Sequence, residues 1–94
     1  MKTEEFVLNP LQANKEINAG NFYFKKGNFR AAKARYARAT KWNPGSSEAF
    51  LKLGEAEEKL HDKQAARAAY EKYLDLAQDA KNDALRKKIE KWPK

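Results

Sequence analysis

His61 is the single histidine of this 94-residue chain, and it stands beside Asp62. An imidazole next to a carboxylate could serve as a general base. Nothing completes the arrangement: there is no cysteine, and Ser46 and Ser47 follow Asn43-Pro44-Gly45, where serine caps a helix. His61 therefore reads as a turn residue. Glu55, Glu57 and Glu58 gather carboxylates on one short stretch, but Lys59 follows directly. That pattern reads as a helix face laced by ion pairs. The absence of cysteine excludes disulfides, thiol nucleophiles and thiolate-bound metals. The chain is read as a non-enzyme with no cofactor and no metal.

The residues that could bind are more informative. Asn14, Asn18 and Asn21 follow one another at spacings of four and three. Asparagine is a poor residue inside a helix, so local propensity does not explain three of them. Their amides suit hydrogen bonds to a peptide backbone. The charge is also uneven. The net +7 falls almost wholly on residues 17–47, which hold seven basic residues and no acid. Within them Arg30, Lys33, Arg38 and Lys41 recur at spacings of three to five and form a stripe. Such a stripe could meet nucleic acid or an anionic surface. The neighbouring aromatics Tyr23, Phe29 and Tyr36 sit at core spacings, however, which favours a solvated outer face and makes nucleic acid the lesser reading.

The elements that carry these residues are helical. Ala, Lys, Glu, Leu and Arg dominate, and β-branched residues are almost absent. Asn9-Pro10 suits a helix start, and Ala13, Ile17, Gly20 and Phe24 share one face of a helix from about Leu11 to Lys26. Gly27-Asn28 ends it and caps the next, from Phe29 to Trp42. Asn43-Pro44-Gly45 breaks the chain again. Further helices are expected from about Ser47 to Leu60, Lys63 to Ala77, and from near Asp79–Asp83 to Trp92, with Pro93 as the stop. Links this short force neighbouring helices antiparallel. Trp92 is expected to cap the core of the last hairpin.

Much of Gly20–Pro44 recurs 34 residues on: Gly20 maps to Gly54, Ala31-Ala32 to Ala65-Ala66, and Tyr36 to Tyr70. A fixed period of this size marks a stacked helical repeat. Glycine inside a helix costs roughly 1 kcal/mol against alanine, so Gly20 and Gly54 are expected where a partner helix comes close. Ala32 and Ala66 would be the small residues on that partner, and Tyr36 and Tyr70 would fill the space between successive hairpins.

In these residues the chain resembles the tetratricopeptide repeat. The first copy supplies Gly20, Tyr23, Gly27, Ala32, Tyr36, Ala39 and Pro44. The second supplies Phe50, Leu53, Gly54, Ala66 and Tyr70. It departs at Glu57, Tyr73 and Gln78, and Glu57, where the family has tyrosine, is expected partly buried near the hairpin junction. The resemblance implies an all-α fold: a lead over 1–10, two antiparallel helix-turn-helix hairpins over 11–44 and 45–78, and a capping helix over 79–94, a fragment of an α-solenoid. It implies a scaffold whose first helices line a concave groove for a peptide or partner protein. The groove positions are Asn14, Ile17, Asn18, Asn21, Lys25, Leu51, Lys52, Glu55 and Arg86. Of a carboxylate clamp known in the family, Asn21 and Arg86 match, while Ile17, Lys52 and Asn82 depart. Phe22 to Phe29 is similar to cell-envelope members, without a lipobox cysteine.

Two repeats are fewer than the three that usually stack stably, so a longer parent chain or a dimer through an end face is expected. No apolar run approaches the roughly 20 residues that span a bilayer. The cytoplasm is the expected compartment, or the periplasm if a longer exported chain carries this segment.

Overall fold

Four side chains set the helix starts. Asn9, Asn28, Ser46 and Asp62 accept hydrogen bonds from the backbone N–H of Gln12, Ala31, Ala49 and Ala65, at 3.0 to 3.2 Å. Each satisfies a donor that the first turn of a helix leaves open. The computed structural model describes residues 6–78 and 81–92. The helices are α1 (Pro10–Lys25), α2 (Phe29–Trp42), α3 (Ser47–Lys59), α4 (Lys63–Leu76) and α5 (Asp83–Glu90). No strand occurs among the described residues. The expected helix start at Asp79 and stop at Pro93 lie outside them; the last helix begins at Asp83 and is only two turns long.

The two hairpin turns use one conformation with different residues. Gly27 has φ 78° and His61 has φ 63°, so both occupy the left-handed region that ends a helix. Asn28 N–H donates to Tyr23 O, and Asp62 N–H to Glu57 O, at 2.9 and 3.0 Å. These pairs stand 34 residues apart, so the repeat extends to the hydrogen bonds of its turns.

α1 folds back on α2, α3 on α4, and α2 packs on α3, while α1 also reaches α3. The cores are built around small residues. Ala32 and Ala39 of α2 meet Ala13 and Ile17 of α1 and Ala49 and Ala56 of α3, with Tyr36 buried among them. A second cluster joins Ala66, Tyr70 and Leu74 of α4 to Ile89 of α5. Burying a large aliphatic or aromatic side chain contributes about 1.5–3 kcal/mol. The alanines contribute mainly by letting the helices approach.

The two helix glycines refine an expectation. The partner helix does come close to each, but the nearest atoms belong to its tyrosine and not to its alanine. A Cβ on Gly20 would stand 2.4 Å from Cε1 of Tyr36, and one on Gly54 would stand 2.6 Å from the ring of Tyr70. Each glycine is the seat of a tyrosine ring from the second helix of its own hairpin. The described part of the lead is held as well. Asn9 N–H donates to Trp42 O at 2.9 Å, and the Phe6 ring meets Trp42 edge-on at 4.8 Å. Residues 6–9 are thereby tied to the end of α2.

α5 closes the far end. Arg67 of α4 donates to the backbone oxygens of Ile89 and Trp92 at the C-terminal end of α5. A guanidinium there also complements the negative end of the helix dipole. Trp92 packs against the second core and lies 6.1 Å from the Tyr70 ring. Asn82 stands at the start of α5, but its side-chain oxygen accepts from the Tyr73 hydroxyl and makes no cap.

Candidate functional site

Between α1 and α3 lies a cleft of about 360 Å³ lined by Asn21, Phe24, Lys25, Tyr36, Lys52 and Glu55. The hairpin packing explains it. α2 lies under both first helices, so α1 and α3 touch only lightly and leave a furrow above Tyr36. The Tyr36 ring fills the space over Gly20, and its hydroxyl donates to Asn21 Oδ1 at 2.6 Å. That bond fixes the carboxamide and leaves its N–H₂ as a donor. Burial first, then the Glu55 and Glu48 charges, push the Tyr36 hydroxyl up to about 12, so it remains a donor across the physiological range.

A second cleft, of about 580 Å³, shares Phe24 and Glu55 and adds Glu58, Lys59, His61, Tyr70 and Lys88. The two form one surface running from α1 to α5. Glu58 accepts from Tyr70 at 2.8 Å and pairs with Lys88 at 2.6 Å. Burial raises its carboxyl, but the bonds from Lys88 and Tyr70 outweigh that and hold it below the usual range. Lys59 lies over the Phe29 ring at 5.8 Å, and Lys52 meets Glu55 only at 3.9 Å. Lys25 has no ion-pair partner among the described residues. The surface thus sets the ammonium groups of Lys25, Lys52, Lys59 and Lys88 and the carboxylates of Glu55 and Glu58 around an aromatic floor, with the Asn21 amide at one end.

Of the nine residues mapped to a groove, the structure gathers Asn21, Lys25, Lys52 and Glu55 in the first cleft. Asn14 and Asn18 are exposed but stand outside it. Ile17 is corrected: it is 3% exposed and packs in the first core, because it points at α2. Leu51 is half-buried against the second core. Arg86 is also displaced. It borders a separate cleft of about 500 Å³ with Arg67, Glu71 and Asp75, between α4 and α5. Tyr36, Tyr70, Glu58, His61 and Lys88 are lining residues that the sequence reading left out. A buried tyrosine must find a partner for its hydroxyl, and that was the available signal.

The stripe on α2 divides. Arg30 and Lys41 are exposed, and Lys33 is half-buried. Arg38 donates to Glu16 at 2.9 Å, Arg35 donates to the same carboxylate at 3.1 Å, and Arg38 also covers Phe6. Part of the basic charge is therefore spent inside the hairpin. Burial raises the Glu16 carboxyl, but Arg38 and Arg35 together bring it below its ordinary value. The carboxylates of α3 do not form one ion-paired face either. Glu57 is 7% exposed and its Oε1 has no hydrogen-bond partner. Burial raises its carboxyl, against the Lys33 charge and with that of Asp62. Among the described residues no group of His, Asp and Glu could hold a metal ion.

A family model described as a tetratricopeptide repeat matches residues 17–82. The chain belongs to the tetratricopeptide repeat family. Its members generally mediate protein–protein interaction and are typically non-catalytic scaffolds. No curated protein matches the chain. No helix among the described residues is long and apolar enough to cross a membrane.

Proposed function

We propose that the chain is a protein-interaction module that holds a peptide segment of its partner in the α1–α3 cleft. The observation that carries this is the clustering of Asn21, Phe24, Lys25, Lys52 and Glu55 around the Tyr36 ring. The Asn21 amide serves a peptide carbonyl, Phe24 an apolar side chain, and Lys25 and Lys52 the charge of the ligand. Repeats over 11–44 and 45–78 form the scaffold, with α5 as the cap. The core of each hairpin positions the site before the ligand arrives, so little ordering free energy is spent on binding. Peptides selected from a random display library on the immobilised chain test the reading. Lys25→Glu/Lys52→Glu should weaken the selected peptides at least about tenfold, a loss of about 1.4 kcal/mol. Binding undiminished by that double change would remove the cleft from the proposal.

A further inference from the structure

A groove of about 270 Å³ runs between α3 and α4, lined by Phe50, Leu53, Glu57, Ala65, Ala68 and Ala69. Phe50, Leu53 and Glu57 follow at spacings of three and four and share one face of α3. Lys52, Glu55 and Lys59 hold the opposite face and line the clefts described above. The groove is apolar apart from Glu57, which is 7% exposed and whose Oε1 has no hydrogen-bond partner. Lys33 of α2 acts on that charge without forming an ion pair, and Asp62 adds a second negative charge. A buried carboxylate in this state calls for a partner, because native chains satisfy nearly all such groups.

The first hairpin shows what is missing. In the 34-residue register Phe50 corresponds to Glu16, Glu57 to Tyr23 and Ala69 to Arg35. Arg35 donates across α1 and α2 to Glu16 at 3.1 Å, and Arg38 joins it at 2.9 Å. A guanidinium and a tyrosine ring thus hold the corresponding positions of hairpin one. In hairpin two the arginine has become Ala69 and the ring a carboxylate, so the place is open and negatively charged. Lys72, which stands for Arg38, does not line the groove.

We infer that the groove takes one arginine side chain of a partner protein, its stem along Phe50 and the alanines and its guanidinium on the Glu57 carboxylate. The carboxylate sets the sign of the ligand, and the apolar walls set its stem. Guanidinium suits the place better than ammonium. It is more weakly hydrated, it stacks on an aromatic ring such as Phe50, and its fork matches both carboxylate oxygens. The volume lies below the roughly 300–1,000 Å³ of pockets for drug-sized ligands and suits one long side chain. An anion or a neutral chain would leave Glu57 buried and unpaired. The contact lies on the face of α3 opposite the peptide cleft, so it is a second anchor and does not depend on that cleft.

Chemical-shift titration of the isotope-labelled chain with N-acetyl-arginine N-methylamide tests the assignment. The citrulline analogue, which keeps the shape and lacks the charge, is the comparison. Saturating shifts are expected at Phe50, Leu53, Ala65 and Ala68, with a roughly millimolar Kd for a ligand of this size. The citrulline analogue should bind at least about tenfold more weakly. Glu57→Gln, which removes a buried charge and keeps the shape, should lower the arginine affinity to the citrulline level. Ala68→Trp, at an exposed position of the wall, should block both ligands. Circular dichroism confirms that each variant keeps its helices. Equal affinity for the two ligands would overturn the inference, as would arginine binding indifferent to Glu57→Gln. So would shifts that fail to saturate by about 50 mM, or that fall on Asn21, Lys25 and Lys52 instead. Free arginine binding about tenfold tighter than the blocked form would overturn a partner's side chain as the occupant.

Discussion

Glu57 is the residue that fits its surroundings least. It occupies the position where the first repeat has Tyr23, and a carboxylate in that place has an oxygen with no partner. Its folded-state proton affinity is raised above the unfolded one. The folded state is therefore relatively favoured below the ordinary carboxylate range and loses that advantage as pH climbs through the raised value. Glu16 and Glu58 run the other way. Their carboxyls are lowered, so their stabilisation is present above the unfolded value and fades as pH falls through the folded one. Glu57→Gln should stabilise the chain at pH 7 by about 1 kcal/mol, since an uncompensated buried charge becomes a neutral amide. The gain should shrink towards pH 4, where Glu57 is protonated. Thermal melts of both proteins at the two pH values measure it. Equal gains at both would remove ionisation as the cause.

The helices show how a repeat is specified by pairs of residues. Gly20 and Tyr36 form one pair and Gly54 and Tyr70 another, each a ring seated where no Cβ stands. Gly20→Ala should destabilise the chain by about 1–3 kcal/mol, the range for overpacking a core. Gly45 is the control: a Cβ there meets only Asn43 Oδ1, at 3.5 Å, so Gly45→Ala should be close to neutral. Urea unfolding of the two variants compares them, and equal midpoints would refute the seating. At the other end, α5 has too few residues to be stable alone. Arg67→Ala removes the side-chain donor to Ile89 O and Trp92 O and leaves Ile89 O only the Trp92 N–H. Amide exchange in α5 should then speed up by about tenfold, while α1 to α3 remain protected. Unchanged exchange in α5 would show that Trp92 and Ile89 hold it without the guanidinium.

Seen whole, the molecule measures about 41 Å along its longest axis, with one cleft surface that mixes ammonium groups and carboxylates. The helix order and turns were legible in the sequence because Gly27-Asn28, Asn43-Pro44 and His61-Asp62 punctuate it locally. The 34-residue register made the tyrosines and glycines stand out, though not which touched which. The cleft was legible only in part. Lys52 and Glu55 follow from the groove positions that the resemblance implies, but those positions also included Ile17, which helical spacing sets on the packing face with Ala13 and Gly20 and which lies in the first core. Arg86 was misplaced for another reason: the angle at which α5 docks is set by Trp92, Ile89 and Arg67, which are distant in sequence from α1. The acids that neutralise part of the charge act between helices, Glu16 on α2 of its own hairpin and Glu58 on α5, and leave no local pattern.

The central claim is that a partner's peptide lies between α1 and α3. Backbone chemical-shift mapping, with a display-selected peptide titrated into the isotope-labelled chain, tests it. The shifts are expected to concentrate at Asn21, Phe24, Lys25, Lys52 and Glu55, to continue towards Lys59 and Lys88, and to disappear in the Lys25→Glu/Lys52→Glu variant. Shifts confined to Arg30, Lys33 and Lys41 on the outside of α2, with the cleft silent, would contradict it.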